Sequence, residues 1–177
     1  MAKMMRAQND AVESMSGKET LGDLLSSELE PAAGNRKTVK AFYAALASSD
    51  AAAVSRVTAA DLEWWFHGPP HCQHLMRLLT GESRRVEFKF KPRSVTGIGD
   101  RVIVEGWQGS KAYWAHVWTL KEGIMTQLRE YFDTWLTVIV RVSEEGGGDK
   151  GYEIIRLWQS EPKERLSRSL PDVVLPI

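Results

Sequence analysis

The sequence predicts an α+β domain in which three helices precede a strongly curved antiparallel sheet, the helices crossing its concave side and enclosing a cavity. Two observations carry this expectation. Apolar residues recur at helical spacing up to about residue 80, and from Arg85 onward the period falls to two. The strand-like runs that follow are long and separated by short turns, as in a meander.

Residues 1–34 are polar and dotted with methionine, and they end in Glu30-Pro31-Ala32-Ala33-Gly34, a run that reads as a linker. They are expected to form a flexible extension, with at most a short helix over residues 21–29, ahead of one domain over residues 35–177. Asn35 is a plausible N-cap for the first helix of that domain, whose Val39, Phe42, Tyr43 and Leu46 fall on one face. Asp50 is a second cap, placed before a short helix over residues 51–57. A strand over residues 62–67 then stops at Gly68-Pro69-Pro70. The third helix spans residues 71–80, with Cys72, Leu75, Met76 and Leu79 on one face and Gly81 at its end.

In the sheet, Val86, Phe88 and Phe90 alternate with Glu87, Lys89 and Lys91, and residues 96–100 make a turn. Strands over 102–107, 112–120 and 124–134 follow, separated by Gly109 and by Lys121-Glu122-Gly123. Two further β-rich runs, 137–142 and 152–158, flank the glycine-rich segment 144–151, which predicts an added hairpin over about 136–158 with a mobile tip. The tail from Ser160 carries Pro162, Pro171 and Pro176 around Val173-Val174-Leu175 and is expected to drape over the domain.

Composition narrows the function classes. With 177 residues, 43% of them hydrophobic, the chain fits one domain with a substantial core. Lys plus Arg equals Asp plus Glu at 23 each, so no global field favours nucleic acid. Cys72 is the only cysteine, which excludes an internal disulfide and a multi-thiolate zinc site; a buried apolar role is its plain reading. No apolar run suggests a membrane span or a leader, and the acidic residues of the first thirty positions do not suit a transit peptide. The cytosol, with passive access to the nucleus, is the expected location.

The strings Asp61-Leu62-Glu63-Trp64-Trp65-Phe66-His67-Gly68-Pro69-Pro70, Leu75-Met76-Arg77, Leu79-Thr80-Gly81 and Arg129-Glu130-Tyr131-Phe132-Asp133-Thr134-Trp135 resemble the plant wound-induced protein family. So do Asn35 to Asp50, Leu157-Trp158-Gln159-Ser160 and the Leu170 to Leu175 ending. The resemblance covers nearly all of residues 35–177 but not the N-terminal extension or the glycine-rich insertion. It implies the cone-shaped nuclear transport factor 2-like fold shared with SnoaL-like cyclases and ketosteroid isomerases, a plant stress- or wound-responsive protein, and a homodimer formed through the sheet.

Strand periodicity puts Trp114, His116 and Trp118 on one face of residues 112–120, an aromatic surface with a titratable centre. His116 stands where the resemblance to ketosteroid isomerases implies an acidic hydrogen-bond donor, and Asp133 where SnoaL-like enzymes place an acid, so these two are the candidate catalytic pair. Arg129 and Tyr131 share a face with Asp133, and Trp65 with His67; both sets are read as inward, with Trp107 joining the wall. Such a lining suits a small planar molecule bearing a carboxylate or carbonyl. Each residue also has a structural alternative: a core histidine at 116, a turn hydrogen bond at His67, an Asp133–Arg129 salt bridge at the strand end. His71 and His74 lie one turn apart with no third ligand fixed beside them, and no phosphate-cradling glycine loop precedes a helix, so neither metal nor cofactor is expected. Three functions follow from this lining: a small-molecule binder, a proton-transfer enzyme of isomerase, cyclase or dehydratase type using His116 and Asp133, or a dimeric interaction module.

Overall fold

The structure is a computed structural model that describes residues 21–82, 89–108, 112–143, 152–161 and 172–177, with residues 21–30 and 143 by backbone alone. The expected strand positions Val86 and Phe88 and the glycine-rich hairpin tip lie outside the described residues.

Helix α1 (Leu21–Ala47) buries Val39, Phe42, Tyr43 and Ala45, with Leu46 packed against them, the stripe its 3.6-residue period dictates. The linker expected at residues 30–34 and the N-cap at Asn35 are overturned, because α1 runs unbroken through Pro31. A proline inside a helix costs about 3 kcal/mol, and the next residue shows what opposes that cost. Ala32 is buried, and its carbonyl oxygen would stand 2.8 Å from a Cβ built at Gly97, so helix and strand meet at a contact that only glycine permits.

Asp50 caps α2 (Ala51–Val57) by accepting from the Ala53 amide at 2.9 Å. Strand β1 (Thr58–His67) begins four residues earlier than its apolar pattern suggests. After Gly68-Pro69 come a 3-10 turn at Pro70–Cys72 and α3 (His74–Leu79), ended at Gly81 with φ 74°. Strands β2 (Pro92–Ile98), β3 (Arg101–Gln108), β4 (Ala112–Lys121) and β5 (Ile124–Phe132) form the antiparallel meander. Glu122 and Gly123 both take positive φ, the geometry of a two-residue β4–β5 hairpin. The sheet is not wholly antiparallel: β1 adds to it parallel to β5, giving the order β1-β5-β4-β3-β2.

Strand β6 (Trp135–Ser143) pairs antiparallel with β7 (Tyr152–Gln159), the added hairpin, and parallel with β8 (Asp172–Pro176), the returning tail. This smaller sheet, β7-β6-β8, places Leu136, Val138 and Leu175 on Ile103, Tyr113, Ala115, Val117 and Tyr131 of the larger one. The larger sheet is therefore covered on both faces, by α1 to α3 on one side and by the small sheet on the other. We call these the inner and outer faces. The architecture is α+β as expected, with one correction: the inner face is filled by Phe42, Tyr43, Leu75, Phe90 and Trp114 rather than left open.

Candidate functional site

On β4 the two-residue period separates Trp114, His116 and Trp118, which join the inner core, from Tyr113, Ala115 and Val117, which join the outer one. Gly106 makes the first of these possible. It lies opposite Trp114 in register, and a Cβ there would stand 2.3 Å from the indole.

His116 and Glu130 are cross-strand neighbours on β4 and β5, both fully buried, with His116 Nε2 3.4 Å from Glu130 Oε1. The Tyr43 hydroxyl, delivered by α1, lies 2.5 Å from His116 Nδ1 and accepts a hydrogen bond from Trp118 Nε1 at 3.0 Å. Trp118 Nε1 can only donate, so His116 Nδ1 is the acceptor within reach of the Tyr43 proton, an assignment that leaves the imidazole proton on Nε2, facing Glu130. Burial holds the Tyr43 pKa well above its usual value, against the lowering effect of the Trp118 bond and with a smaller raising effect from Glu130, so the phenol keeps the proton it donates. Trp64 of β1 completes the group by donating from Nε1 to Glu130 Oε2 at 3.1 Å.

Three polar atoms here have no hydrogen-bond partner: Trp114 Nε1, His116 Nε2 and Glu130 Oε1. The 3.4 Å approach of the last two does not meet hydrogen-bond geometry. A buried polar group without a partner costs about 1–3 kcal/mol, and three of them occupy one face of two neighbouring strands. Phe90 covers the group, its ring 5.2 Å from Trp114 and 5.1 Å from His116.

The other expected site residues stand elsewhere. Asp133 does not meet His116. It leaves β5 with φ 52°, exchanges its amide with the Tyr113 carbonyl at 2.8 Å, and accepts from the Tyr113 amide at 3.3 Å, a turn role. Trp65 and His67 are not inward; parallel pairing aligns them with Arg129 and Tyr131 on the outer face. There the Arg129 guanidinium lies 4.3 Å over the Trp65 ring, which is 42% exposed, and His67 stacks on Tyr131 at 4.8 Å. Partial burial, then Arg129, lowers the His67 pKa, whereas burial raises that of Tyr131 against the opposing effect of Arg129. Trp107 is also outer, packed on Tyr113 at 5.0 Å. The sequence pairs these residues by face correctly but turns the wrong face inward. Glu130, Trp64 and Tyr43 belong to the inner group, and the available signal is that Glu130 interrupts an apolar run, Leu128 and Phe132, while Tyr43 interrupts Val39, Phe42 and Leu46.

Two surface clefts lined by described residues lie away from this group. One of about 590 Å³ runs between α1 and the Gly99-Asp100 and Glu122-Gly123 turns, and another of about 450 Å³ between α1, α2 and α3. Among the described residues, no set of three or more His, Cys, Asp or Glu is placed to hold a metal ion, and no helix is long and apolar enough to cross a membrane. Cys72 is buried, and burial followed by Asp133 raises its thiol pKa.

Comparison with known proteins agrees with the resemblance in the sequence. Among curated proteins, Senescence associated gene 20 of Arabidopsis thaliana is 37% identical over 111 residues, 58% of this chain and 100% of its own length. Wound-induced protein 1 of Solanum tuberosum is 32% identical over 103 residues, 56% of this chain and 98% of its own. Among solved structures, a nuclear transport factor 2-like protein of Burkholderia xenovorans aligns over 57% of this chain and 90% of its own, at 27% identity and a TM-score of 0.45. An LEH-like epoxide hydrolase of M. tuberculosis aligns over 57% and 84%, at 22% identity and a TM-score of 0.46. Residues 76–177 match the family model for Wound-induced protein WI12, more than half of the chain, and the chain belongs to that family.

Proposed function

We propose that this chain binds a small, planar organic molecule on the inner face of its larger sheet, against Trp114, His116 and Glu130. The observation that carries the reading is the convergence of three buried polar atoms without partners on one aromatic surface. Folded proteins satisfy nearly all such atoms, and a ligand group that meets them recovers the free energy they cost. Phe90 stands where a planar ligand would lie, so binding displaces its ring. The test is a panel of single-ring aromatic fragments observed by protein NMR. Saturable one-to-one binding that Trp114→Phe weakens and Trp65→Ala leaves unchanged supports the site; binding that follows Trp65, or no binding, overturns it.

A second reading, proton-transfer catalysis, draws on the line from Glu130 through His116 to Tyr43, an acid, an imidazole and a phenol within contact. Under it, His116→Gln lowers turnover of a bound compound by roughly a hundredfold or more while its affinity changes far less.

Self-association rests on a different surface from the sheet-to-sheet contact that the family resemblance implies, since the small sheet occupies much of the outer face. Tyr152, Ile154, Ile155 and Leu157 are exposed on β7, an edge strand, and this supports a second copy of the chain as partner. Ile154→Lys then converts a dimer to a monomer in sedimentation velocity; a wild-type monomer contradicts the proposal. A cytosolic or nuclear location is proposed with it, and imaging of the tagged full chain in plant cells decides.

A further inference from the structure

The three unpartnered atoms also say what the ligand carries. Trp114 Nε1–H donates only, and His116 Nε2–H donates because Tyr43 holds Nδ1 as an acceptor. Glu130 Oε1 accepts, while Oε2 is occupied by Trp64. The site therefore offers two donors and one acceptor to whatever reaches it. A carboxylate answers the donors but brings a second negative charge beside Glu130. Among the described residues, the Arg129 guanidinium, which could offset it, lies on the other side of the sheet over Trp65. An ammonium answers Glu130, and the surrounding rings favour it, but it accepts nothing and leaves both N–H groups unmet. A hydroxyl does both, accepting from an N–H and donating to the carboxylate. The surroundings of such a hydroxyl are aromatic: Trp114, Trp118 and the Phe90 ring that a ligand would displace.

We infer that the inner site selects an uncharged aromatic molecule bearing a hydroxyl group, which accepts from Trp114 Nε1 or His116 Nε2 and donates to Glu130 Oε1. This rests on the binding function proposed above and corrects one detail of the expectation from the sequence, in which Arg129 and Tyr131 help line a pocket for a ligand bearing a carboxylate or carbonyl. Both of those residues face outward.

The experiment compares four molecules of one size against the full chain: benzyl alcohol, toluene, benzoate and benzylamine as its ammonium. Protein-observed NMR titration gives the four dissociation constants. Benzyl alcohol is expected to bind roughly tenfold or more tightly than each of the others, about the worth of one hydrogen bond to a charged group. In Glu130→Gln, which keeps the shape and removes the charge, the penalty against benzoate is expected to shrink by a similar factor. Benzoate or benzylammonium binding as tightly as the alcohol overturns this inference and leaves the site standing. Binding of none of the four to folded protein overturns the site and the inference together. Equal discrimination in wild type and Glu130→Gln also overturns it, because the carboxylate would then not be the group that selects.

Discussion

On each side of strands β3 to β5 a buried glutamate and a tyrosine hydroxyl share one polar group, and the two groups differ in whether their hydrogen bonds close. On the outer face, Glu105 receives Ser94 Oγ at 3.0 Å on one oxygen and the Tyr113 hydroxyl at 3.1 Å on the other. Tyr113 also bonds Ser160, whose Oγ in turn accepts the Leu136 amide at 3.0 Å. That chain of bonds ties the large sheet to the small one with no side-chain polar atom of Glu105, Tyr113 or Ser160 left over. On the inner face, Tyr43, His116 and Glu130 make a similar line, yet it ends in atoms without partners. A network that closes holds a fold together, and one that stays open holds a place for something else.

Substitutions on the two faces should therefore behave differently. His116→Leu is expected to have the largest effect, about 3 kcal/mol of unfolding free energy in urea, because it leaves the buried Tyr43 proton without its acceptor and takes the imidazole away from Glu130. A loss near 1 kcal/mol would mean that the Tyr43 proton has another acceptor. Tyr113→Phe should cost about 1–3 kcal/mol by withdrawing one hydroxyl from both Glu105 and Ser160, without altering fragment binding. If it alters binding, the outer network is not merely a tie. Glu130→Gln should change stability by less than about 1 kcal/mol, since the isosteric amide can keep the Trp64 bond; its effect is on ligand choice. A large destabilisation would make the inner line structural after all.

The smallest effect expected is on the outer face at His67. Partial burial and Arg129 lower its pKa below the usual 6.5. Between the two values the unfolded chain holds a proton that the folded one does not, so this contribution to stability is complete above about pH 6.5 and is lost as pH falls through that point toward the lower folded value. Replacement by Gln should slightly flatten the pH dependence of the urea midpoint below pH 6.5. An unchanged slope would show His67 to be fully solvated.

The order of helices and strands was readable because each element carries its own period, and the Asp50 cap and the Gly81 stop mark ends that local chemistry fixes. Pro31 misled because its cost is local while the Ala32–Gly97 contact that opposes it is between residues 65 apart in sequence. The site was half readable. Alternation on β4 placed Trp114, His116 and Trp118 together, but on β1 and β5 it defines two faces without saying which is inner. The more apolar face goes inward: Trp64 pairs with Leu128, and Phe66 pairs with Glu130 and carries it in. A search for polar pocket residues selects the opposite face, because it looks for function where solvent already satisfies the groups.

The central claim is that the indole N–H of Trp114 waits for a partner. The most direct measurement is a 1H–15N spectrum of the tryptophan side chains, assigned with Trp114→Phe and Trp65→Phe, recorded with and without benzyl alcohol. The account predicts that the Trp114 indole resonance begins upfield, as an unbonded N–H does, and moves downfield on titration while that of Trp65 stays in place. A Trp114 resonance that is already downfield in the free protein, or that stays fixed while Trp65 moves, would contradict it.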